Sequence, residues 1–384
     1  MGGPSGGAFA DELGRIRAWL FEAAWPLWAQ AGRDPVTGRF YEQLALDGSP
    51  DPAAPLRLRV QARQIYAFSQ AALMGWDGPA RDIVADGLRF LTAHGWRSEG
   101  GWLHVFAPDG AALDGRADTY DHAFVLFALA AAARALGPEA ASPWVERTLA
   151  FMDARLADPI HGGFLEGDPP ASPRRQNPHM HLLEAFLALY HVTGDAAYLE
   201  RAGAIVSLFR TRFLNAEKGF LSEYFAEDWA PLPGEAGRRV EPGHLYEWVW
   251  LLAEYAAARG EPVAAEARPL FDFAEAHGRN AQGFAVDAIR DDGAPLAPTR
   301  RLWPQTEALR AAIALRRTEG AAMDERIRAI LGGVFDGYLS PAPPGAWIDQ
   351  YGLDGAPLST HVPASILYHL VGAFAPALNE LSDA

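Results

Sequence analysis

The chain of 384 residues carries 33 lysines and arginines against 48 aspartates and glutamates, a formal net charge of −15, and it contains no cysteine. So acidic a chain repels the phosphate backbone of nucleic acids, and the missing cysteines exclude disulfide frameworks, thiolate nucleophiles and cysteine-bound metals. No apolar run reaches the ~18 residues that a membrane span needs, and a hydrophobic content of 49% suits a large core.

The predicted elements form a repeat that is marked by a glycine just ahead of an aromatic residue. The aromatic residues are Phe40, Trp102, Phe164, Phe220, Phe284 and Trp347, so successive copies lie 62, 62, 56, 64 and 63 residues apart. Asp-Gly follows four of the copies at the distance that is typical of a hairpin. Six copies at nearly constant spacing indicate a structural unit of about 62 residues.

Two helices with a 3.6-residue apolar period are predicted in each unit. The helix before each aromatic residue is amphipathic, and these helices span about 9–30, 80–94, 142–156, 197–213, 262–277 and 321–337. The helix after it is apolar nearly all round, and these span 58–72, 119–136, 178–192, 242–258, 304–317 and 362–375. A helix that is apolar all round is buried, and an amphipathic helix covers it. The pattern predicts an all-α fold, an (α/α)6 barrel of twelve helices, as a single catalytic domain over 9–380 after a disordered tail over 1–8.

Polar side chains gather in the first turns of the predicted inner helices. Because these turns converge at one end of such a barrel, we expect the side chains to share one pocket. Charged residues are rarely buried without partners or a purpose. The set consists of Arg63, Tyr120, Asn177, His181, Glu184, His244, Glu247, Trp303 and Glu307, with His361 just before the last helix.

Other polar residues in these regions have a simpler structural explanation. A lone histidine or glutamate at a helix start is more often a cap than a catalyst. We expect Glu241 and Thr360 to be caps, and Asp109 and Asp292 to be turn residues. His94, His277 and His369 lie well past the first turns of their helices, and we expect them to be structural.

The eleven histidines raise the question of a metal site. His179 and His181 lie two positions apart, about 200° around a helix, so they do not chelate one ion together. His-Glu-x-x-His, an acidic calcium loop and the glycine-rich nucleotide loops are all missing from the sequence. Neither a metal nor another cofactor is therefore expected.

The residue types in the expected pocket favour acid–base chemistry on a carbohydrate. Histidine has its unperturbed pKa near working pH, which suits it to move a carbon-bound proton. An arginine beside it stabilises a developing enediolate oxygen. Tyr120, Trp303 and Trp347 offer flat apolar faces to a sugar, and a pocket with aromatic residues and few lysines suits a neutral polyol better than a polyanion.

Several motifs together resemble the N-acylglucosamine 2-epimerase superfamily. The resemblance covers about 10–375, and its specific pieces are 60–66, 120–124, 177–185, 241–248, 303–307 and 361–363. Members of that superfamily interconvert aldoses and ketoses, or sugars that differ at C2, on an (α/α)6 barrel. The resemblance thus implies the same fold and a sugar isomerase or epimerase.

The resemblance also implies roles for individual residues. His244 and His361 would be a metal-free acid–base pair, with Glu247 holding His244. Arg63 and His181 would bind the sugar oxygens. The remaining substrate-binding residues would be Tyr120, Asn177, Glu184, Trp303 and Glu307.

The pieces Gln-Ala-Arg-Gln-Ile-Tyr and Glu-Pro-Gly-His are similar to mannose isomerase-like members. We therefore expect an aldose–ketose isomerase that acts on D-mannose and D-fructose through a cis-enediolate. After Pro363 the sequence lacks an arginine that relatives often carry, which leaves a sugar 2-epimerase, or an isomerase of mannose 6-phosphate or a sulfosugar, as alternatives. The arginines Arg174, Arg175, Arg238 and Arg239 would bind a C6 phosphate or sulfonate, or are simply loop charges.

Two further classes remain open on the sequence. A glycoside hydrolase needs two opposed carboxylates, which Asp121, Glu247 and Glu307 could supply, but the histidines would then have no role. A non-catalytic sugar-binding or scaffold protein is the other. We expect a small-molecule sugar as partner, no nucleic acid and no membrane, and a cytoplasmic location, with the oligomeric state open.

Overall fold

The computed structural model describes residues 7–382. Nearly all of the predicted tail over 1–8 therefore lies outside the described residues. Among the described residues, no helix combines the length and the apolar character that crossing a bilayer requires.

Six buried helices form an inner ring, as the sequence predicts. Their first turns carry the polar side chains. Their middles are almost wholly apolar, because every side of each helix meets another helix. They span Leu58–Leu73, Thr119–Leu136, Asn177–Thr193, Pro242–Arg259, Trp303–Glu319 and Ser365–Glu380.

An outer layer of helices covers this ring, which completes the (α/α)6 barrel. Several outer helices change to a π-helical turn along their length. The α-helical parts are Ala10–Ala18, Trp25–Ala31, Ala80–His94, Ser142–Phe151, Ala196–Leu208, Ala267–His277 and Asp324–Val334. The π-helical parts are Trp19–Ala24, Met152–Leu156, Phe209–Phe213 and Phe335–Leu339. Short helices at Pro138–Ala140, Gly234–Arg238 and Gly320–Met323 lie in the connections.

Small antiparallel sheets link neighbouring units ahead of the inner helices. Gln43–Ala45 pairs with His361–Pro363, so a strand of the first unit joins one of the last and closes the ring. Two sheets have three strands: Val105–Phe106 pairs with both Leu56–Arg57 and Ala112–Asp114, and Ala288–Arg290 pairs with both Arg239–Val240 and Pro295–Ala297. The other sheets have two strands: Ala117–Asp118 with Gly167–Asp168, Arg174–Arg175 with Tyr224–Phe225, Leu214–Asn215 with Phe220–Leu221, and Arg300–Arg301 with Gln350–Tyr351.

A buried side chain in the first turn of an inner helix fixes the glycine–aromatic segment in four units. Gln61 hydrogen-bonds both the backbone N–H and the carbonyl of Phe40, at 2.8 and 2.7 Å. The Nε2 atom of His122 accepts from the Trp102 backbone N–H at 3.0 Å, and that of His179 accepts from Phe164 at 2.9 Å. Gln305 makes the same pair of hydrogen bonds with the backbone N–H and carbonyl of Ala285.

Burial keeps these two histidines neutral, as their role as acceptors requires. It lowers the pKa of His122 to about 4 and that of His179 to about 3. Two of the eleven histidines thus hold the repeat together and do not enter the chemistry of the barrel mouth.

Candidate active site

A cavity of about 550 Å³ opens at the end of the barrel where the inner helices begin. Every inner helix contributes at least one side chain to its lining. Seven of the ten site residues that the sequence suggests line it, namely Arg63, Tyr120, Asn177, His181, His244, Glu247 and Trp303. Glu184 and Glu307 are buried next to it and do not line it.

His361 is not in this cavity, which corrects the expectation from the sequence. It is exposed on the strand His361–Pro363, where it pairs with Ala45, and its Nδ1 atom lies 2.7 Å from the hydroxyl of Thr360. The last inner helix begins only at Ser365, because residues 361–363 are held in the ring-closing strand pair. His361 therefore does not line the cavity, although Pro363 at the end of the same strand does.

His369 lies in the cavity instead, although its sequence position suggested a structural role. It is one turn into the last inner helix and 5% exposed. Its Nδ1–H donates to Glu307 Oε1 at 2.7 Å, which leaves the Nε2 atom with its lone pair. Burial, with the charges of Arg63 and Arg310, lowers the pKa of His369 well below its usual value. His369 is therefore a neutral imidazole.

His244 is held in the opposite protonation state. Its Nδ1–H donates to Glu223 Oε2 at 2.9 Å, and Glu241 Oε2 lies 3.6 Å away. Burial opposes a charge on this ring, but the two carboxylates outweigh burial and raise the pKa of His244 to about 9. Glu223, on the loop before the fourth inner helix, thus takes the part that the family resemblance gave to Glu247.

The two histidines both lie close to one tryptophan. The ring centroid of Trp303 is 5.1 Å from that of His244 and 5.7 Å from that of His369. A proton donor and a proton acceptor therefore face the same small volume beside a flat apolar ring. Such a pair of oppositely tuned groups is typical of acid–base catalysis.

His181 and Glu247 form a second pair in the cavity wall. Burial lowers the pKa of His181 to about 4, and the ring packs edge-on against Tyr120. Its Nδ1 atom is 3.3 Å from Glu184 and 3.6 Å from Glu247. Burial, reinforced by Glu307 and Glu184, raises the pKa of Glu247 well above its usual value, and one of its buried oxygens has no hydrogen-bond partner.

A buried ion cluster lies directly beneath these side chains. Arg310 donates to Glu184 at 3.0 Å and to Glu307 at 3.0 Å, and the hydroxyl of Tyr368 also donates to Glu184. All four residues are at most 5% exposed. Arg310 was absent from the candidates drawn from the sequence, although its position three residues after Glu307 was a signal for a pair on one helix face.

Arg63 lines the cavity. It donates to the hydroxyl of Tyr120 at 2.8 Å, and its guanidinium lies 4.1 Å from the ring centre of Phe124. No carboxylate lies within ion-pair distance of it in the described chain, and its buried Nε–H has no acceptor. An uncompensated guanidinium next to His369 can stabilise negative charge on a bound molecule.

Arginines also surround the entrance to the cavity. Of the four that the sequence suggested for an acidic substituent, only Arg175 lines the cavity. Arg174 forms a buried ion pair with Asp158. Arg238 pairs with Asp291 on the surface, and Arg239 pairs with Glu241. The entrance instead carries Arg57, Arg59, Arg116, Arg175 and Arg301.

One group of side chains has the composition of a metal site. Ligand atoms of His181, Glu184 and Glu247 all lie within 4.8 Å of one another. Both oxygens of Glu184 already accept hydrogen bonds, from Arg310 and Tyr368. A cation at this point would have to compete with the guanidinium of Arg310.

The sequence of the chain matches the family model described as N-acylglucosamine 2-epimerase over residues 38–373. The chain belongs to the N-acylglucosamine 2-epimerase family. The mannose-6-phosphate isomerase of Rhizobium meliloti (strain 1021) is 40% identical to it over 97% of this chain and 97% of its own length. The D-mannose isomerase of Thermobifida fusca is 31% identical over 81% and 80%.

The same family appears among solved structures. The cellobiose 2-epimerase from Spirochaeta thermophila DSM 6192 is 27% identical, with a TM-score of 0.85 and coverage of 96% of both chains. This family member is thus an isomerase, of the group that comprises sugar isomerases and epimerases. Of the three carboxylates that the sequence suggested for a glycoside hydrolase, only Glu247 lines the cavity, and Asp121 and Glu307 do not.

Replacing Arg310 with methionine tests the buried cluster. The change leaves Glu184 and Glu307 buried without their cation, so we expect it to lower the free energy of unfolding by about 3–5 kcal/mol near neutral pH. The loss should shrink as the pH falls, because the unpaired carboxylates bind protons more tightly in the folded than in the unfolded chain. Urea unfolding near neutral pH and about two units lower measures both effects.

The matched control is Arg268→Met on an outer helix. Arg268 is half exposed and pairs with Asp272 and Glu319, so its loss should cost at most about 1 kcal/mol at either pH. Equal losses in the two variants would show that the ion cluster does not support the fold.

Proposed function

We propose that this enzyme interconverts D-mannose and D-fructose, with His369 as the base and His244 as the acid. The observation that supports this assignment most strongly is that the two histidines beside Trp303 have opposite protonation states. His244 with a pKa of about 9 holds a proton to give, and His369 holds a free lone pair to receive one.

Ring opening is the first step of the proposed reaction. The charged His244 donates its Nε2 proton to the ring oxygen of the sugar, while the anomeric hydroxyl loses its proton to water. Glu223 holds the imidazole by its Nδ1–H, so that Nε2 points away from the carboxylate and towards the cavity. Because its pKa lies above neutral, His244 regains its proton before the next step.

The proton transfer between carbons follows. The Nε2 atom of His369 removes the proton from C2, which gives the cis-enediolate with its negative charge on O1, and His244 then protonates O1. Arg63 lines the cavity and, in the part of the chain that the structure describes, has no carboxylate within ion-pair distance, so its guanidinium stabilises the negative charge on the enediolate oxygens. His244 then takes the proton of O2, and His369 returns its proton to C1, which completes the ketose.

Epimerisation needs only a different last step at the same site. If His244 took the proton back from O1 and gave it to C2 from the face opposite His369, the C1 carbonyl would form again and the product would be the C2 epimer. His369 would then release its proton to water. Both histidines contact the ring of Trp303, so the reacting carbon atoms can lie between them. The choice of C1 or C2 depends on how the sugar is seated, and we favour C1 because the curated relatives with the higher identities are named isomerases.

We propose further that the reaction uses no bound metal. Each proton movement at C1, C2, O1 and O2 of the opened sugar has a side chain of this chain assigned to it, and Arg63 supplies the positive charge that the enediolate needs. The nearest set of metal-binding side chains contains Glu184, whose oxygens are already bonded to Arg310 and Tyr368.

Deuterium exchange at C2 tests the acid–base pair. The protein is incubated with D-mannose in D₂O after EDTA treatment, and exchange is followed by NMR. We expect His369→Asn and His244→Asn each to reduce the exchange rate by about 10²–10⁴-fold, because each removes a group that moves a proton.

His361→Asn is the matched control, because it makes the same change at a histidine that lies four residues before the start of the last inner helix and outside the cavity. It should leave the exchange rate unchanged. Loss of exchange in the His361 variant, or retained exchange in the His369 variant, would overturn the assignment. Failure of the wild type to exchange with any hexose would overturn the proposed function itself.

A second candidate substrate is D-mannose 6-phosphate. The five arginines at the entrance favour it, and the relative from Rhizobium meliloti carries the name of that activity. Arg301 is the freest of the five, because it is exposed and its nearest carboxylate, Asp287, lies 3.9 Å away. A sugar with its C1 and C2 beside Trp303 would extend its C6 end towards this entrance.

Comparing D-mannose with its 6-phosphate in Arg301→Gln separates the two substrates. If the phosphate binds at the entrance, kcat/KM for the phosphorylated sugar should fall about tenfold, the effect of one lost charge-assisted hydrogen bond, and that for D-mannose should not change. Arg238→Gln, which removes a surface arginine outside the cavity, is the control. Equal kcat/KM values of wild type and Arg301→Gln with the phosphorylated sugar would exclude a phosphate site at Arg301.

A further inference from the structure

A second cavity, of about 480 Å³, opens at the opposite end of the barrel. It shares no lining residue with the proposed active site. Its rim carries the exposed side chains of Arg134, His191 and Asn379, so it is open to solvent. Its floor is the ion cluster of Arg310 and Glu184, which also lies beneath the active site.

The walls of this cavity combine aromatic faces with small residues. Tyr66, Phe127 and Trp250 present partly buried rings, each at most 9% exposed. The ring of Trp250 is fixed between two guanidinium groups, of Arg310 at 5.0 Å and Arg317 at 4.9 Å. The space itself exists because the surrounding helix positions are small, namely Ala130, Ala131, Ala188, Gly372 and Ala375.

Two polar groups in the cavity wall lack their usual partners. Arg310 is 5% exposed, and its Nε–H is buried without an acceptor. Pro376 lies inside the last inner helix and has no N–H, so the carbonyl of Gly372 four residues earlier has no helical donor. The accessible hydrogen-bonding groups of the cavity are the side-chain amides of Gln70 and Asn379, which line it and can each donate to and accept from a hydroxyl group.

The charges around the cavity cancel. Arg317 is paired with Glu254 and Glu380, and Arg310 is paired with Glu184. Arg134 on the rim adds one positive charge and brings the total to three arginines and three glutamates. A neutral molecule fits such a balanced site better than a phosphate or another anion.

We propose that this second cavity binds a neutral polyhydroxylated molecule, a sugar or a polyol. The aromatic rings contact its C–H faces, and the side-chain amides of Gln70 and Asn379 hydrogen-bond its hydroxyls. This site is separate from the proposed active site and does not depend on which sugar that site converts. Its ligand contacts Arg310, the residue that also holds the carboxylate partner of His369.

Counting the bound sugars tests the proposal. His369→Asn is used so that the titrated sugar is not converted, and D-mannose, D-fructose, D-glucose and inorganic phosphate are the probes for isothermal titration calorimetry. We expect two molecules of at least one sugar to bind per chain. Adding Ala188→Leu should fill the cavity and weaken one of the two sites by about tenfold or more.

Ala258→Leu, at the end of the fourth inner helix but outside the cavity, is the control and should leave both sites intact. Gln70→Leu, which removes a hydrogen-bonding amide without filling the cavity, gives a second variant if Ala188→Leu does not fold. A single sugar site that neither Ala188→Leu nor Gln70→Leu weakens, or a second site that takes phosphate and no sugar, would overturn the proposal. A wild type without C2 exchange would bear on the proposed function alone.

Discussion

The geometry of the candidate site depends on one buried ion cluster. Arg310 joins Glu184 and Glu307, and these carboxylates hold His181 and His369 in turn. Such a cluster is expensive to bury, and it persists only when every charge has a partner. The ion cluster positions the site, because it fixes the direction of two imidazole rings and leaves the Nε2 atom of His369 without a proton.

The second constraint is the asymmetry between the two histidines beside Trp303. His244 and His369 are equally buried, so burial alone would make both neutral. Glu223 and Glu241 charge the first, whereas Arg63 and Arg310 keep the second uncharged. The proposed chemistry therefore depends on which ions surround each ring, and the identity of the rings as histidines is only half of the explanation.

The ring of helices could be predicted from the sequence because burial is visible in local periodicity and in the spacing of the glycine–aromatic segments. His361 and His369 show where this reasoning stops. Both are near the start of the last inner helix, and only the long-range pairing of 361–363 with 43–45 decides which one faces the cavity. Glu223 was missed for the same reason, because its contact with His244 crosses a loop. Local pattern also hid that His122 and His179 serve the backbone of their own repeats.

The most direct test of the account is the protonation state of the two histidines in the wild-type protein. NMR of the ¹⁵N-labelled imidazoles, assigned with the His244→Asn and His369→Asn variants, gives both across a pH titration. We expect His244 to lose its proton at a pH of about 9, and His369 to remain neutral, with its hydrogen on Nδ1, down to well below the usual histidine pKa. Two rings that titrate together near the usual value would contradict the assignment of one acid and one base.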